Sequence, residues 1–143
     1  MSIIIDTPFN TEASLGCLLS EGVSTVIRYY NFSNSLTFPE KAMQLAEAQS
    51  LAAHGMQIGV VFQQRQNQVG DFSELKGIAA GRRAYRYAHD NIGQPSRSAI
   101  YFSVDFDATS GLRQGFIHPC KLGADLFHVR VTARHWISPS IQS

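Results

Sequence analysis

Asp105 and Asp107 are the residues best placed, by type and spacing, to do chemistry. They close the run Ile100–Gly111, IYFSVDFDATSG, in which apolar and aromatic residues give way to two carboxylates. Side chains alternate along a strand, so Ser103, Asp105 and Asp107 take one face, and Val104 and Phe106 the other. Same-face neighbours lie roughly 6–7 Å apart, close enough for both acids to reach one bound molecule. The pattern recurs upstream. Ile3-Ile4-Ile5 ends in Asp6, Val26-Ile27 leads to Arg28, Tyr29 and Tyr30, and Val60-Val61-Phe62 leads to Gln63 and Gln64.

Strands that begin apolar and finish polar converge at one edge if they run parallel. That edge is where barrels and open α/β sheets hold their ligands. Three acids and an arginine there suit glycosidic-bond cleavage. One carboxylic acid protonates the leaving oxygen, and a second carboxylate stabilises positive charge, attacks, or activates water. Asp6, Asp105 and Asp107 are therefore the candidate catalytic residues. Arg28 would hold an acid ionised or bind substrate oxygens. Arg28, Tyr30, Gln63 and Tyr101 make the candidate substrate-binding set, with Tyr29 a further ring for sugar stacking. Plainer roles stand beside these. Asp107, before Ala108-Thr109-Ser110-Gly111, equally fixes a turn, Asp6 does the same before Thr7-Pro8, and Arg28 equally serves as a structural partner of an acid.

The elements that must position these residues follow a rhythm. Strands are expected at Ile3–Asp6, Ser24–Tyr30, Met56–Gln63 and Ser98–Phe106. Between them, Thr11–Glu21 is helical and stops at Gly22. Thr37 with Glu40 forms a capping box that opens a helix running to His54 and ending at Gly55. Asp71 with Glu74 repeats that logic for a helix carrying Ile78, Gly81, Tyr85, Ala88 and Ile92, ending near Gly93. Strict alternation predicts parallel strands with crossover helices, an α/β architecture. From Gly111 the rhythm fails. Phe127–Thr132 alternates as a strand and Ser138–Ser143 reads as a loose end. The expected division is 1–111 and a divergent tail, 112–143.

Composition excludes several classes. The chain has 143 residues, enough for one domain, and a formal net charge of +1, which argues against nucleic acid as a partner. Arg82, Arg83 and Arg86 read as the solvated side of a helix. No apolar run approaches the ~20 residues of a membrane span. Met1–Asp6 lacks the features of a signal peptide, so the default expectation is a cytoplasmic location. Cys17 and Cys120 suit neither a disulfide framework nor a zinc site. His118, Cys120, His128 and His135 match no metal-ligand spacing, and there is no glycine-rich phosphate loop, so neither metal nor cofactor is expected.

The stretches IDTPFN, TVIRYYNFSNSLTFPEKA, HGMQIGVVFQ and AIYFSVDFDAT resemble a glycoside-hydrolase-like family of bacterial, mycobacterial and phage-related proteins. That family is distantly similar to the Chalaropsis-type lysozymes, muramidases with a TIM-barrel fold. The resemblance implies a (β/α) barrel with Asp6, Arg28, Asp105 and Asp107 at a carbohydrate-like cleft, and peptidoglycan or a similar polysaccharide as partner. On this reading Asp107 donates the proton, Asp105 stabilises charge or orients substrate, Asp6 assists, and Arg28 holds the acids' charge state. The lysozymes carry Asp-x-Glu where this chain has Asp105-Phe106-Asp107, a shorter second side chain. A complete barrel typically takes about 250 residues and eight strands. The expectation is thus a TIM-barrel-like fold truncated to its first four βα units, a shortened or frame-disrupted descendant whose irregular tail from about Leu112 falls outside the resemblance. Its exposed edges would be covered by the tail or by a homodimer. The alternatives are a non-catalytic glycan- or protein-binding module and an inactive remnant.

Overall fold

Eight α-helices and β-strands order the described residues: β1 (Ile3–Asp6), α1 (Leu15–Ser20), β2 (Val23–Tyr30), α2 (Leu45–Ala53), β3 (Gln57–Phe62), α3 (Glu74–Arg86), β4 (Ala99–Val104) and β5 (His128–Ala133). The computed structural model describes residues 2–105 and the backbone of strand 128–133. The strands form one sheet in the order β1-β2-β3-β4-β5, every neighbouring pair parallel. Each new strand lands beside the last, with helical crossovers between β1 and β4. The sheet therefore never reverses direction across itself as a doubly wound sheet does. This α/β arrangement is consistent with a barrel-like fold.

The helix-facing side of the sheet holds the core. Tyr30, Val60, Phe62, Ile100, Phe102 and Val104 alternate along their strands and bury against Met43, Ala48, Ala80, Ala84 and Ala88. A second cluster joins Leu15, Val23, Val26, Leu51 and Met56 under α1 and α2. Each fully buried large side chain contributes about 1.5–3 kcal/mol relative to exposure. Small residues on the buried face of α3, Gly77, Ala80, Gly81 and Ala84, let that helix sit close to the sheet.

The expected strands and the helix stops hold, but two helix starts do not. α2 begins at Leu45 rather than at Thr37. The segment before it serves the sheet instead: the Met43 amide donates to the Tyr29 carbonyl at 3.0 Å, and Ala42 forms a parallel bridge with Tyr29. The Ala42 amide donates to Asn34 Oδ1 at 2.9 Å. These tertiary bonds override the capping-box pattern. α3 takes Ser73 as its N-cap, whose Oγ accepts from the Lys76 amide at 3.3 Å, while Asp71 lies in the preceding short 3-10 turn. α3 then runs on as a π-helical stretch, Tyr87–Ile92, and Gly93 ends it at φ 68°. Gly55 follows α2 at φ 73°. The region expected to be an irregular tail contributes β5, in register with the whole of β4.

β3 and β4 are joined only at Val61–Tyr101 and Phe62–Phe102. Below those pairs the strands part, and a cleft of about 1000 Å³ opens towards α2 and the π-helical stretch, lined by Gln49, Ile58, Gly59, Asn91, Ser98 and Ala99 among others.

Candidate functional site

Register alone does not bring the acids together. Asp6 stands opposite Ile27, two positions before Tyr29, whereas Asp105 lies beyond the end of β4. Side chains bridge the stagger. The Tyr29 hydroxyl donates to Asp6 Oδ1 at 2.7 Å. Lys41 sits over the Tyr29 ring, 4.8 Å from its centroid, and its Nζ donates to Gln63 Oε1 at 2.9 Å. The other end of that amide, Gln63 Nε2, donates to Asp105 Oδ2, and Ser103 Oγ donates to Asp105 Oδ1 at 2.9 Å. The Asp105 amide is fixed in turn by the Gln66 carbonyl at 2.8 Å. The result is a continuous chain, Asp6–Tyr29–Lys41–Gln63–Asp105, on the sheet face away from the helices.

The electrostatics agree with this geometry. Burial, the hydrogen bond to Asp6 and the nearby charges of Asp6 and Asp105 push the Tyr29 phenol well above its ordinary value. Burial pulls Lys41 down, and Asp105 and Asp6 pull it back up. Both carboxylates thus act on the same two groups. Asp6 is exposed and Asp105 half-buried, so the face they share is reachable from solvent.

Arg28 and Tyr30 lie elsewhere. Both alternate to the helix side of β2 and are completely buried. Arg28 pairs with Glu47 on α2, Nε to Oε1 at 2.8 Å and an Nη to Oε2 at 2.9 Å, both side chains 0% exposed. Its remaining donors reach the carbonyls of Thr7, Lys41 and Glu40 at 2.9, 3.3 and 2.8 Å. All five guanidinium donors are satisfied without an aspartate. Glu47 also accepts from the Thr11 amide and hydroxyl at 2.9 and 2.8 Å. Tyr30 packs edge-on against Tyr87, and its hydroxyl donates to Gln94 Oε1 at 2.9 Å. The geometric expectation that Asp6, Arg28 and Asp105 share a rim therefore holds for the two acids and not for the arginine. Tyr101 is half-buried opposite Val61, on the carboxylate face by alternation. Asp107 lies outside the described residues, as do His118, Cys120 and His135.

Sequence reasoning missed Lys41, because it fell inside an expected helix, and Glu47, because nothing local marks it as Arg28's partner. Alternation does show that Arg28 and Tyr29 take opposite faces of β2, so the two could not both join the acids. The large cleft below the β3–β4 pairs contains neither Asp6 nor Asp105. Among the described residues no cluster of three potential metal ligands occurs, and no helix is long and apolar enough to cross a membrane.

Residues 16–119 match the Rv2525c-like, glycoside hydrolase-like domain, a match that reaches past Leu112. The chain belongs to this family. Its fold is shared with the Mycobacterium tuberculosis Tat-secreted protein Rv2525c, solved in complex with HEPES (TM-score 0.66) and with L-tartrate (TM-score 0.68). In both, identity is 23% and the likeness covers 90% of this chain and 65% of that one. An uncharacterized B. stearothermophilus protein with a 1.07 Å crystal structure is similar at TM-score 0.68 and 15% identity, covering 90% of this chain and 58% of that one. This chain therefore spans at most 65% of the length of these relatives. No curated protein matches it. The expected cytoplasmic location is corrected by this comparison: the structural neighbour Rv2525c is a Tat-secreted protein.

Proposed function

We propose that this glycoside-hydrolase-like domain binds a polysaccharide such as peptidoglycan across the C-terminal edge of its sheet and hydrolyses it. The observation that carries this reading is the joining of Asp6 and Asp105 through Tyr29, Lys41 and Gln63 on one solvent-reachable face. In this mechanism Asp105, oriented by Gln63 and Ser103, stabilises charge developing at the sugar carbon. Asp107, the second acid of the Asp105-Phe106-Asp107 run, delivers the proton to the leaving oxygen. Asp6 and Tyr29 hold substrate hydroxyls at the other end. The consecutive parallel strands support reading the sheet as part of a (β/α) barrel. Export would place the domain where cell-wall polysaccharide is found.

A second reading, a non-catalytic glycan-binding module, draws on a different observation. Asp105 and Asp6 already accept hydrogen bonds from protein donors, and the second acid of the Asp105-Phe106-Asp107 run is Asp where the distantly similar lysozymes carry Glu. Reducing-sugar release from purified peptidoglycan separates the two. Hydrolysis predicts release that falls by about 10²–10⁴ in Asp105→Asn, the range expected on removing a positioned catalytic carboxyl. Wild-type protein that binds the polymer and releases nothing selects the binding module instead.

A further inference from the structure

The loops that follow β1 and β2 place aromatic rings in water. Phe9 is 50% exposed and Phe38 is 37% exposed, and Leu36, in the same loop as Phe38, is fully exposed. The Phe9 and Phe38 ring centroids lie 5.9 Å apart with planes inclined at 59°, so neither ring hides the other's face by stacking. Exposed aromatics in contact are costly to leave wet and mark binding surfaces more often than chance placement does.

These loops are held rather than loose. Buried Arg28 bonds the Thr7 carbonyl of the first loop and the Glu40 and Lys41 carbonyls of the second. Above it, the Asn10 amide donates to Glu40 Oε2 at 3.3 Å, joining the loops directly. The Lys41 amide closes a turn onto the Phe38 carbonyl at 3.4 Å. Phe9 is three residues from Asp6 and Phe38 three from Lys41, a reach of about 10 Å at most. The ring pair thus stands on the two loops that lead away from Asp6 and towards Lys41, and those loops are tied together by Arg28 and by the Asn10–Glu40 bond.

We propose that Phe9 and Phe38 form a stacking subsite for the apolar C–H face of a pyranose ring, extending the polysaccharide cleft beyond Asp6. The inference rests on the glycan reading above and adds to it a subsite and its ligand chemistry. A pyranose presents a C–H face and a hydroxyl edge. The rings match the first, and the carboxylates of Glu40, two residues after Phe38, and Asp6, three before Phe9, accept from the second. The same carboxylates repel acidic lipid headgroups, which disfavours a membrane surface as the occupant. The Arg28–Glu47 pair is then a positioning device that holds the two loops at a fixed separation.

Cosedimentation with purified peptidoglycan sacculi tests the subsite, using wild type, Phe9→Ala/Phe38→Ala, Phe38→Trp and Asp105→Asn, each checked for an unchanged melting temperature. The double alanine variant is expected to bind about tenfold more weakly, the loss for two aromatic contacts of typical strength. Phe38→Trp is expected to bind at least as well as wild type. Full binding by the double variant while Asp105→Asn loses it overturns the subsite and leaves the glycan reading standing. Failure of wild type to bind sacculi overturns both. Capture on phosphatidylglycerol vesicles that depends on Phe9 and Phe38 overturns the sugar assignment in favour of a lipid surface.

Discussion

Tyr29 concentrates the electrostatics of the site in one side chain. Its phenol is raised by burial and by Asp6, and Tyr30 and Tyr87 are raised chiefly by burial. A raised folded value stabilises the protein below the unfolded tyrosine value of about 10, and that contribution is lost as pH climbs through the folded value. Lys41 is lowered, so its effect has the opposite sign: stability grows as pH rises towards the unfolded lysine value. Urea unfolding from neutral to strongly alkaline pH should show stability falling above about pH 10, less steeply in Tyr29→Phe. An equally steep fall in that variant would remove Tyr29 from the account. The facing of Ser103 and Asp105 was legible from strand alternation alone. Which face of β2 looks toward the helices was not, because Val26 and Ile27 are both apolar and only the identity of Arg28's partner decides it.

The Arg28–Glu47 pair works at the scale of elements. It pins the end of β2 to the first turn of α2, and its spare donors fasten the loops at the carboxylate edge. Removing one partner leaves an uncompensated buried charge, so Glu47→Ala should lose about 3–5 kcal/mol in denaturant unfolding. A matched apolar pair, Arg28→Met with Glu47→Leu, should recover much of that loss in stability, yet still free the loops. Gly93 at φ 68° makes a smaller test: Gly93→Ala should cost about 1 kcal/mol, because an L-residue adopts that conformation poorly. The helix stops at Gly55 and Gly93 were readable because their chemistry is local. The helix starts were not. Thr37-x-x-Glu40 is a sound capping pattern, but Glu40 and Lys41 are needed as carbonyl acceptors for Arg28, a demand that comes from twelve or more residues away.

At the scale of the whole molecule, the sheet among the described residues ends at β1 on one side and β5 on the other. β1 shows Ile3 at 41% and Ile4 at 55% exposure beside a strand edge that no described strand pairs, the combination that invites pairing with another chain. Light scattering across a concentration series should report a dimer in equilibrium with monomer, and Ile4→Lys should shift it towards monomer; a monomer at every concentration would dismiss the edge as a contact. The alternation of strands and helices made the parallel order legible, whereas β5 stood out only as a short alternating run. The seam between β3 and β4, fastened at Val61–Tyr101 and Phe62–Phe102 alone, divides the sheet into halves that share few ladder bonds. In heavy water, the amide protons held across this seam at Val61–Tyr101 and Phe62–Phe102 should therefore trade for deuterium well before those of the six-pair β2–β3 ladder. Fluctuations of this protein would begin as a parting of two plates along that line, not as fraying from its ends.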